Sequence, residues 1–209
     1  DELGEKGADY IARMKNAAQR MSNLINDLLE FSRVTTRGKD FTDTNLNSIL
    51  NDILSDLEIA INESNAQVIT VDMPIIQADP SQMHQLFLNL ISNAVKFRAP
   101  NVNPVIDISF ERISEFSEDH NSKVSWHVIT VKDNGIGFSD EYADKIFVPF
   151  QRLHGRSEYK GTGIGLSVCR RIVERHGGTI TAISTPNEGA TFIIKLPVDA
   201  ELFTLQGEA

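Results

Sequence analysis

From Tyr10 onward, apolar residues recur in alternating steps of four and three: Tyr10, Met14, Ala17, Met21, Leu24, Leu28 and Phe31. This is a heptad seam sustained through about three repeats, and Ile11, Ala18 and Ile25 widen it on one side. A surface helix packed on its own domain drifts toward a period of 3.6, so the regular spacing points to a bundle or coiled coil. Such a seam needs a partner helix. Most of the segment's charge, at Arg13, Lys15, Arg20 and Asp27, lies off the seam.

Residues 35–45 are polar, contain Gly38 and break the pattern, so they read as a linker holding the domain boundary. Beyond it the pattern predicts a helix over 46–62, a short strand near 68–71 and a helix over 80–97. Pro80 suits a first helical turn, with Asp79 as its cap. Alternation over 105–110 and 124–132 predicts two long neighbouring strands, with a polar hairpin loop at 114–122 between them. A final helix over 165–176 leads through Gly177 and Gly178 into strands at 179–184 and 190–196. The plan is therefore a heptad helix (1–34), a linker (35–45), a mixed α+β unit (46–198) and an uninformative tail (199–209).

Composition narrows the function classes. At 209 residues and 41% hydrophobic content, the chain can bury one good core and is short for two full domains. Its 29 acidic and 20 basic residues give a net charge of -9, which argues against a general nucleic-acid or anionic-membrane surface. Any polyanion must meet locally placed cations. The single Cys169 cannot form an internal disulfide and suits a reducing, cytoplasmic compartment. No apolar run approaches the ~20 residues that span a bilayer, and the first residues lack signal-peptide character, although a longer parent could carry membrane segments upstream.

Four clusters carry candidate chemistry. In the segment Asn89-Leu90-Ile91-Ser92-Asn93-Ala94-Val95-Lys96-Phe97, helical spacing puts Asn89, Asn93 and Lys96 on one stripe beside an apolar one. Amide oxygens can complete the coordination of Mg²⁺ already held by phosphates, and the ammonium can meet the phosphates directly. Taken alone, two asparagines on a helix are more often a solvated edge. Next, Asp133-Asn134-Gly135-Ile136-Gly137-Phe138 follows a strand, where a carboxylate can accept from an exocyclic amine and glycines admit a flat ligand. An ordinary turn has the same composition. Third, Gly161-Thr162-Gly163-Ile164-Gly165-Leu166 opens a helix whose N-terminal amides suit phosphate, although the spacing fits neither the dinucleotide fingerprint nor a Walker loop. Last, Ile146 to Arg152 precedes a polar run in which Arg152, Arg156 and Lys160 put cations between the two glycine clusters, unless that run is only a solvated loop.

In this order the clusters resemble the GHKL ATPases, and among them the sensor histidine kinases. The asparagine helix is similar to NLISNAVKF, the glycine motifs to DNGIGF and GTGIGL, the phenylalanine motif to FVPFQRL and the last motif to EGATF. The heptad helix resembles the second helix of the family's dimerisation and histidine-phosphotransfer region. KFR at 96–98 and QRLH at 151–154 look like the phytochrome-like and PAS-linked branch. The resemblance implies an α+β two-layer sandwich, with a mixed sheet covered on one face by helices. It implies ATP and Mg²⁺ as cofactors and ATP-dependent phosphorylation of a histidine, relayed to a response-regulator aspartate.

The implied roles attach to individual residues. Asp133 takes the adenine amine, with Thr191 near it, and Ile136 and Phe97 line the base beside Gly135 and Gly137. Asn93, helped by Asn89, holds Mg²⁺; Lys96 contacts phosphate and Arg152 reaches the γ-phosphate as a lid closes. Gly161, Thr162, Gly163, Gly165 and Leu166 supply contacts to the phosphates. The implied partners are a second copy of the chain through the heptad helix, a receiver domain and an upstream sensor domain, with no nucleic acid.

The acceptor histidine of the family lies on the first dimerisation helix, next to an acidic residue, and the heptad helix here resembles the second. Of the five histidines, His84, His120, His127, His154 and His176, none has the acceptor's sequence context: Asp119 adjoins His120, but in a polar loop. His127 reads as strand packing and His176 as a helix-end cation. An ATP-driven clamp like gyrase or Hsp90 is the alternative, disfavoured because Asn89 stands where those families place a water-activating glutamate. A non-catalytic dimeric scaffold is a further alternative.

Overall fold

The computed structural model describes residues 4–36, 38–117, 122–153 and 162–199. Their order is α1 (Gly4–Thr36), β1 (Thr42–Asn45), α2 (Leu46–Asp56), α3 (Glu58–Ser64), β2 (Gln67–Thr70), β3 (Ile75–Ala78), α4 (Pro80–Lys96), β4 (Val105–Ser117) and β5 (Ser122–Asp133). Two 3-10 turns, Asp140–Tyr142 and Lys145–Phe147, precede α5 (Gly165–Arg175), β6 (Thr179–Thr185) and β7 (Gly189–Pro197). The main sheet runs β2-β4-β5-β7-β6, with β2 parallel to β4 and the other pairs antiparallel. Helix α4 packs against both α2 and α5, and α4 and α5 lie on one face of the sheet, the expected mixed α+β arrangement. Alternation explains the two-layer form: β6 buries Ile180, Ala182 and Ser184 and leaves Thr179, Thr181, Ile183 and Thr185 exposed.

Helix α4 is the spine. Asp79 accepts from the Ser81 and Gln82 backbone N–H groups at 3.0 and 3.3 Å, and Pro80 fills the first turn, as the sequence predicts. Its apolar stripe, Met83, Leu86, Phe87, Leu90 and Ile91, is fully buried, worth ~1.5–3 kcal/mol for each side chain.

Three local expectations change. The helix expected over 46–62 is two helices, because Leu57 adopts ψ 4° and the chain bends there before α3 ends at left-handed Asn65. Amphipathic spacing does not register one residue's dihedral. Residues 42–45 of the expected linker form β1, paired antiparallel with β3 from Thr42↔Ala78 to Asn45↔Ile75. That strand is polar, and buried Thr44 is satisfied by donating its hydroxyl to Ala78 O at 3.0 Å, so no apolar alternation announces it. The long hairpin extends further than expected, to Ser117 and from Ser122.

The expectation for the end of α5 is also overturned. His176 is buried and not a cation: its Nε2 accepts from the Asp79 backbone N–H at 3.1 Å, so the proton sits on Nδ1, which donates to Ile172 O at 2.7 Å. Burial holds its pKa down to about 4, opposed by the Ile172 bond and assisted by the Arg175 charge. Phe41 stacks on its ring at 4.4 Å. His127, by contrast, is a buried strand residue against Phe110, as expected.

The sign of the resulting pH effect is fixed. An unfolded histidine titrates near ~6.5, so below that the unfolded chain binds the proton that His176 refuses until about pH 4. Its stabilisation is complete above the unfolded value and lost as pH falls toward the folded one. From pH 7.5 to 5.0 this group should cost roughly 2 kcal/mol. Urea unfolding should show a smaller pH dependence in His176→Gln than in the native chain; parallel dependences would rule out the neutral cap.

Candidate active site

A cavity of about 290 Å³ opens between α4, the end of β5, the start of α5 and β7. From α4 come Asn89, Asn93 and Lys96, which helical spacing aligns with Gln85 one turn before Asn89, and Phe97 follows as the helix's C-cap. From the turn after β5 come Asp133, Ile136 and Gly137, and from the second glycine cluster Thr162, Gly163, Gly165 and Leu166. Arg152 lies between them.

Local bonds explain how these pieces hold their places. Asp133 lines the cavity, and its Oδ1 accepts from the backbone N–H groups of Gly135 at 2.8 Å and Ala190 at 3.2 Å, which fixes the carboxylate there. Burial raises its pKa and those two bonds restrain the rise. Ile136 N–H donates to Phe97 O at 2.9 Å, tying the glycine turn to the end of α4. Gly137 has φ +59°, backbone that a side chain resists. Gly163 has φ +80°, and a Cβ there would meet Gln151 O at 2.8 Å. The same loop accepts the Phe150 N–H at Gly163 O, 3.0 Å, which ties the phenylalanine motif to the second glycine loop.

The electrostatics favour an anion inside an acidic protein. Burial and the Arg152 charge together lower the Lys96 pKa, and its Nζ lies 4.4 Å from the Phe97 ring centroid. Two cations brought together this way are relieved by a polyanion between them. Helix α5 begins with no side-chain cap, leaving its first amides to a ligand. A Cβ on Gly165 would come within 3.2 Å of Asn89 Oδ1, so this glycine makes room for the amide. Asn89 Nδ2 is buried without a hydrogen-bond partner among the described residues. None of the described residues form a carboxylate, thiol or imidazole cluster that could hold a metal. A hard cation here would use the Asn89 and Asn93 amide oxygens together with a ligand's phosphates, a donor set that fits Mg²⁺.

Most of the sequence-derived site residues meet at this cavity; two described ones do not line it. Gly135 is behind it, bonded to Asp133. Thr191 pairs with Lys132 beside Asp133, and its β7 neighbours Ala190 and Phe192 line the cavity. Gly161, with His120, His154, Arg156 and Lys160, lies outside the described residues. Gln85 was recoverable from helical spacing with Asn89. Asp27 of α1 also lines the cavity, and no local pattern announces that.

Cavity and fold together define a nucleotide-binding ATPase domain. Residues 78–200 match the family of histidine kinase-, DNA gyrase B- and HSP90-like ATPases, and the chain belongs to that family. It is 39% identical over 196 residues to the phytochrome-like protein Cph1 of Synechocystis sp., covering 94% of this chain and 25% of that protein. The expected phytochrome-like branch agrees with this. Histidine kinase ThkA is similar as its catalytic domain, at 29% identity and TM-score 0.61 over 78% of this chain and 99% of that one. In complex with response regulator protein TrrA, ThkA matches at 26% identity and TM-score 0.66, over 95% and 53%. Full-length ShkA in complex with AMPPNP shares the fold at 20% identity and TM-score 0.68, over 93% and 39%. The chain spans about a quarter of the length of the cyanobacterial phytochrome relatives it matches.

Asp133 should control nucleotide affinity, because it is the carboxylate held at the glycine turn after β5 and an unpaired buried edge costs ~1–3 kcal/mol. Calorimetry of Asp133→Ala should show ATP and ADP weakened together, by roughly 5- to 150-fold. Unchanged affinity for both would remove this residue from the site.

Proposed function

We propose that this chain is the ATP-binding catalytic part of a sensor histidine kinase, moving the ATP γ-phosphate to a histidine on a dimerisation helix for relay to a receiver aspartate. The observation that carries this is the convergence of Asp133, Asn93, Lys96, Arg152 and the second glycine loop on one cavity. Asp133 accepts from the adenine amine, and Phe97 and Ile136 flank the base. The α5 amides with Thr162, Gly163, Gly165 and Leu166 receive phosphate oxygens, and Gly161 belongs to the same motif. Lys96 neutralises phosphate charge, and Arg152 does so at the γ-phosphate. Asn93 and Asn89 would hold Mg²⁺, which when bound supplies charge neutralisation across the phosphates. Phosphoryl transfer is mainly positioning and electrostatics, and this inventory supplies both.

Residues 1–34 serve as the second helix of the dimerisation region and 46–198 as the catalytic unit, joined through 35–45 and followed by the tail 199–209. Nearly all of the heptad seam is open in the single chain: Tyr10, Met14 and Met21 are each about 60% exposed, and Leu28 is 50% exposed. A homodimer covers it, and the ThkA complex with TrrA supports a receiver domain as the next partner. An upstream sensor completes the scheme. No helix among the described residues is long and apolar enough to cross a membrane, and the cytosol suits both ATP and the free thiol.

Two outcomes test this reading. Light scattering should show self-association, because each large seam residue covered gains ~1.5–3 kcal/mol; a strict monomer at high concentration with α1 folded argues against the bundle. Radiolabelled ATP with this chain alone should leave its five histidines unlabelled. Adding a helix hairpin that carries the acceptor histidine and a matching seam should restore transfer, and Arg152→Ala should lower it by about 10³-fold or more. Acid-labile phosphate on the chain's own histidines would show the acceptor to be misplaced.

A further inference from the structure

Helix α1 does more than present a seam. Its C-terminal third lies on the catalytic unit: α1 packs on α5, Phe31 is half-buried with the Arg171 guanidinium 5.5 Å from its ring centroid, and buried Val34 accepts from Gln82 Nε2 at 3.0 Å through its carbonyl. One turn before Phe31, the Asp27 carboxylate accepts a hydrogen bond from the Thr162 hydroxyl, 135 residues away in the second glycine loop. Asp27 lines the same cavity as Lys96 and Arg152. The carboxylate thus takes a donor of the loop whose amides face an incoming phosphate, and it adds negative charge where phosphate would bring more.

We propose that Asp27 makes α1 an internal occupant of the phosphate end of the cavity, so that docked α1 and bound nucleotide phosphates exclude each other. The proposal rests on the nucleotide reading above. Thr162 can give its single hydroxyl proton to Asp27 or to a phosphate oxygen. Two anions in a partly desolvated space repel more strongly than in water. Binding of a triphosphate therefore releases α1 from the loop, and undocking of α1 raises nucleotide affinity by the same factor, since the coupling is reciprocal.

Calorimetry with adenosine, ADP and ATP on the whole chain decides this. Asp27→Asn keeps an acceptor oxygen for Thr162 and removes the charge; Asp27→Ala removes both. Each should tighten ATP by about 10-fold, tighten ADP less and leave adenosine unchanged. Asp9→Ala, on the same helix in a surface pair with Arg13, should change nothing. Unaltered ATP affinity in both Asp27 variants would overturn the inference while leaving the nucleotide reading intact, and weakened ATP binding would overturn it by making Asp27 part of the site. Failure of every variant to bind any nucleotide would overturn both. Spin labels at Ser22→Cys and Thr181→Cys, both exposed, should report a changed distance distribution when ATP is added; an unchanged one counts against release.

Discussion

The rest of the structure depends on where one buried carboxylate is held. Asp79 is almost fully buried, and burial alone would raise its pKa; hydrogen bonds from Ser81, Lys39 and Gln82 more than offset this and leave it below the usual value. Its Oδ1 starts α4, and its Oδ2 takes the Lys39 backbone N–H at 2.7 Å and lies 3.4 Å from Arg175 Nη1. Arg175 also reaches Gln82 Oε1 at 2.9 Å and Lys39 O at 2.7 Å, while neutral His176 receives the Asp79 N–H. A charged imidazole could not accept that bond. The hub therefore joins the start of α4, the end of α5 and the segment arriving from α1 with nearly every polar atom engaged.

The chemistry lies at the opposite ends of the same two helices. Fixing the N-terminus of α4 and the C-terminus of α5 at one point sets how far apart Asn93 and Lys96 stand from the amides of Gly165 and Leu166. The glycine turns then need little rigidity of their own, because each is tied to a helix or strand end: Ile136 to Phe97 O, Gly135 to Asp133, and Gly163 to Phe150. A net charge of -9 is compatible with a polyanion site for the same reason. Lys96 and Arg152 are brought together by backbone that the hub has already positioned, so two cations act locally where a basic face would act at long range.

What the sequence disclosed follows the range of each interaction. The Asp79-Pro80 start of α4, the asparagine stripe and the order of the glycine motifs are local patterns, and they were legible. Strand β1 was not, since a four-residue polar strand has no hydrophobic alternation and exists because β3 lies beside it. Thr191 is implied by the family's last motif, and which of the β7 residues line the cavity is set by sheet register, which no motif states. His176 looked like a helix-end cation until the fold buried it against an N–H from a residue 97 positions earlier. Asp27 carried no signal at all: its partner is a hydroxyl on a loop that only the packing of α1 against α5 brings near.

That packing also explains how one helix can serve two surfaces. At ~100° per residue, Asp27, Phe31 and Val34 fall on one stripe, and the centre of the Tyr10 to Leu28 seam falls roughly 100° around the helix from it. A partner helix can cover the seam while the other stripe rests on α5 and the glycine loop. Phe31 lies between the two and is shared, which fits its half-buried state in the single chain. The two surfaces are close enough on a 3.6-residue helix that rotating α1 to tighten one moves residues out of the other.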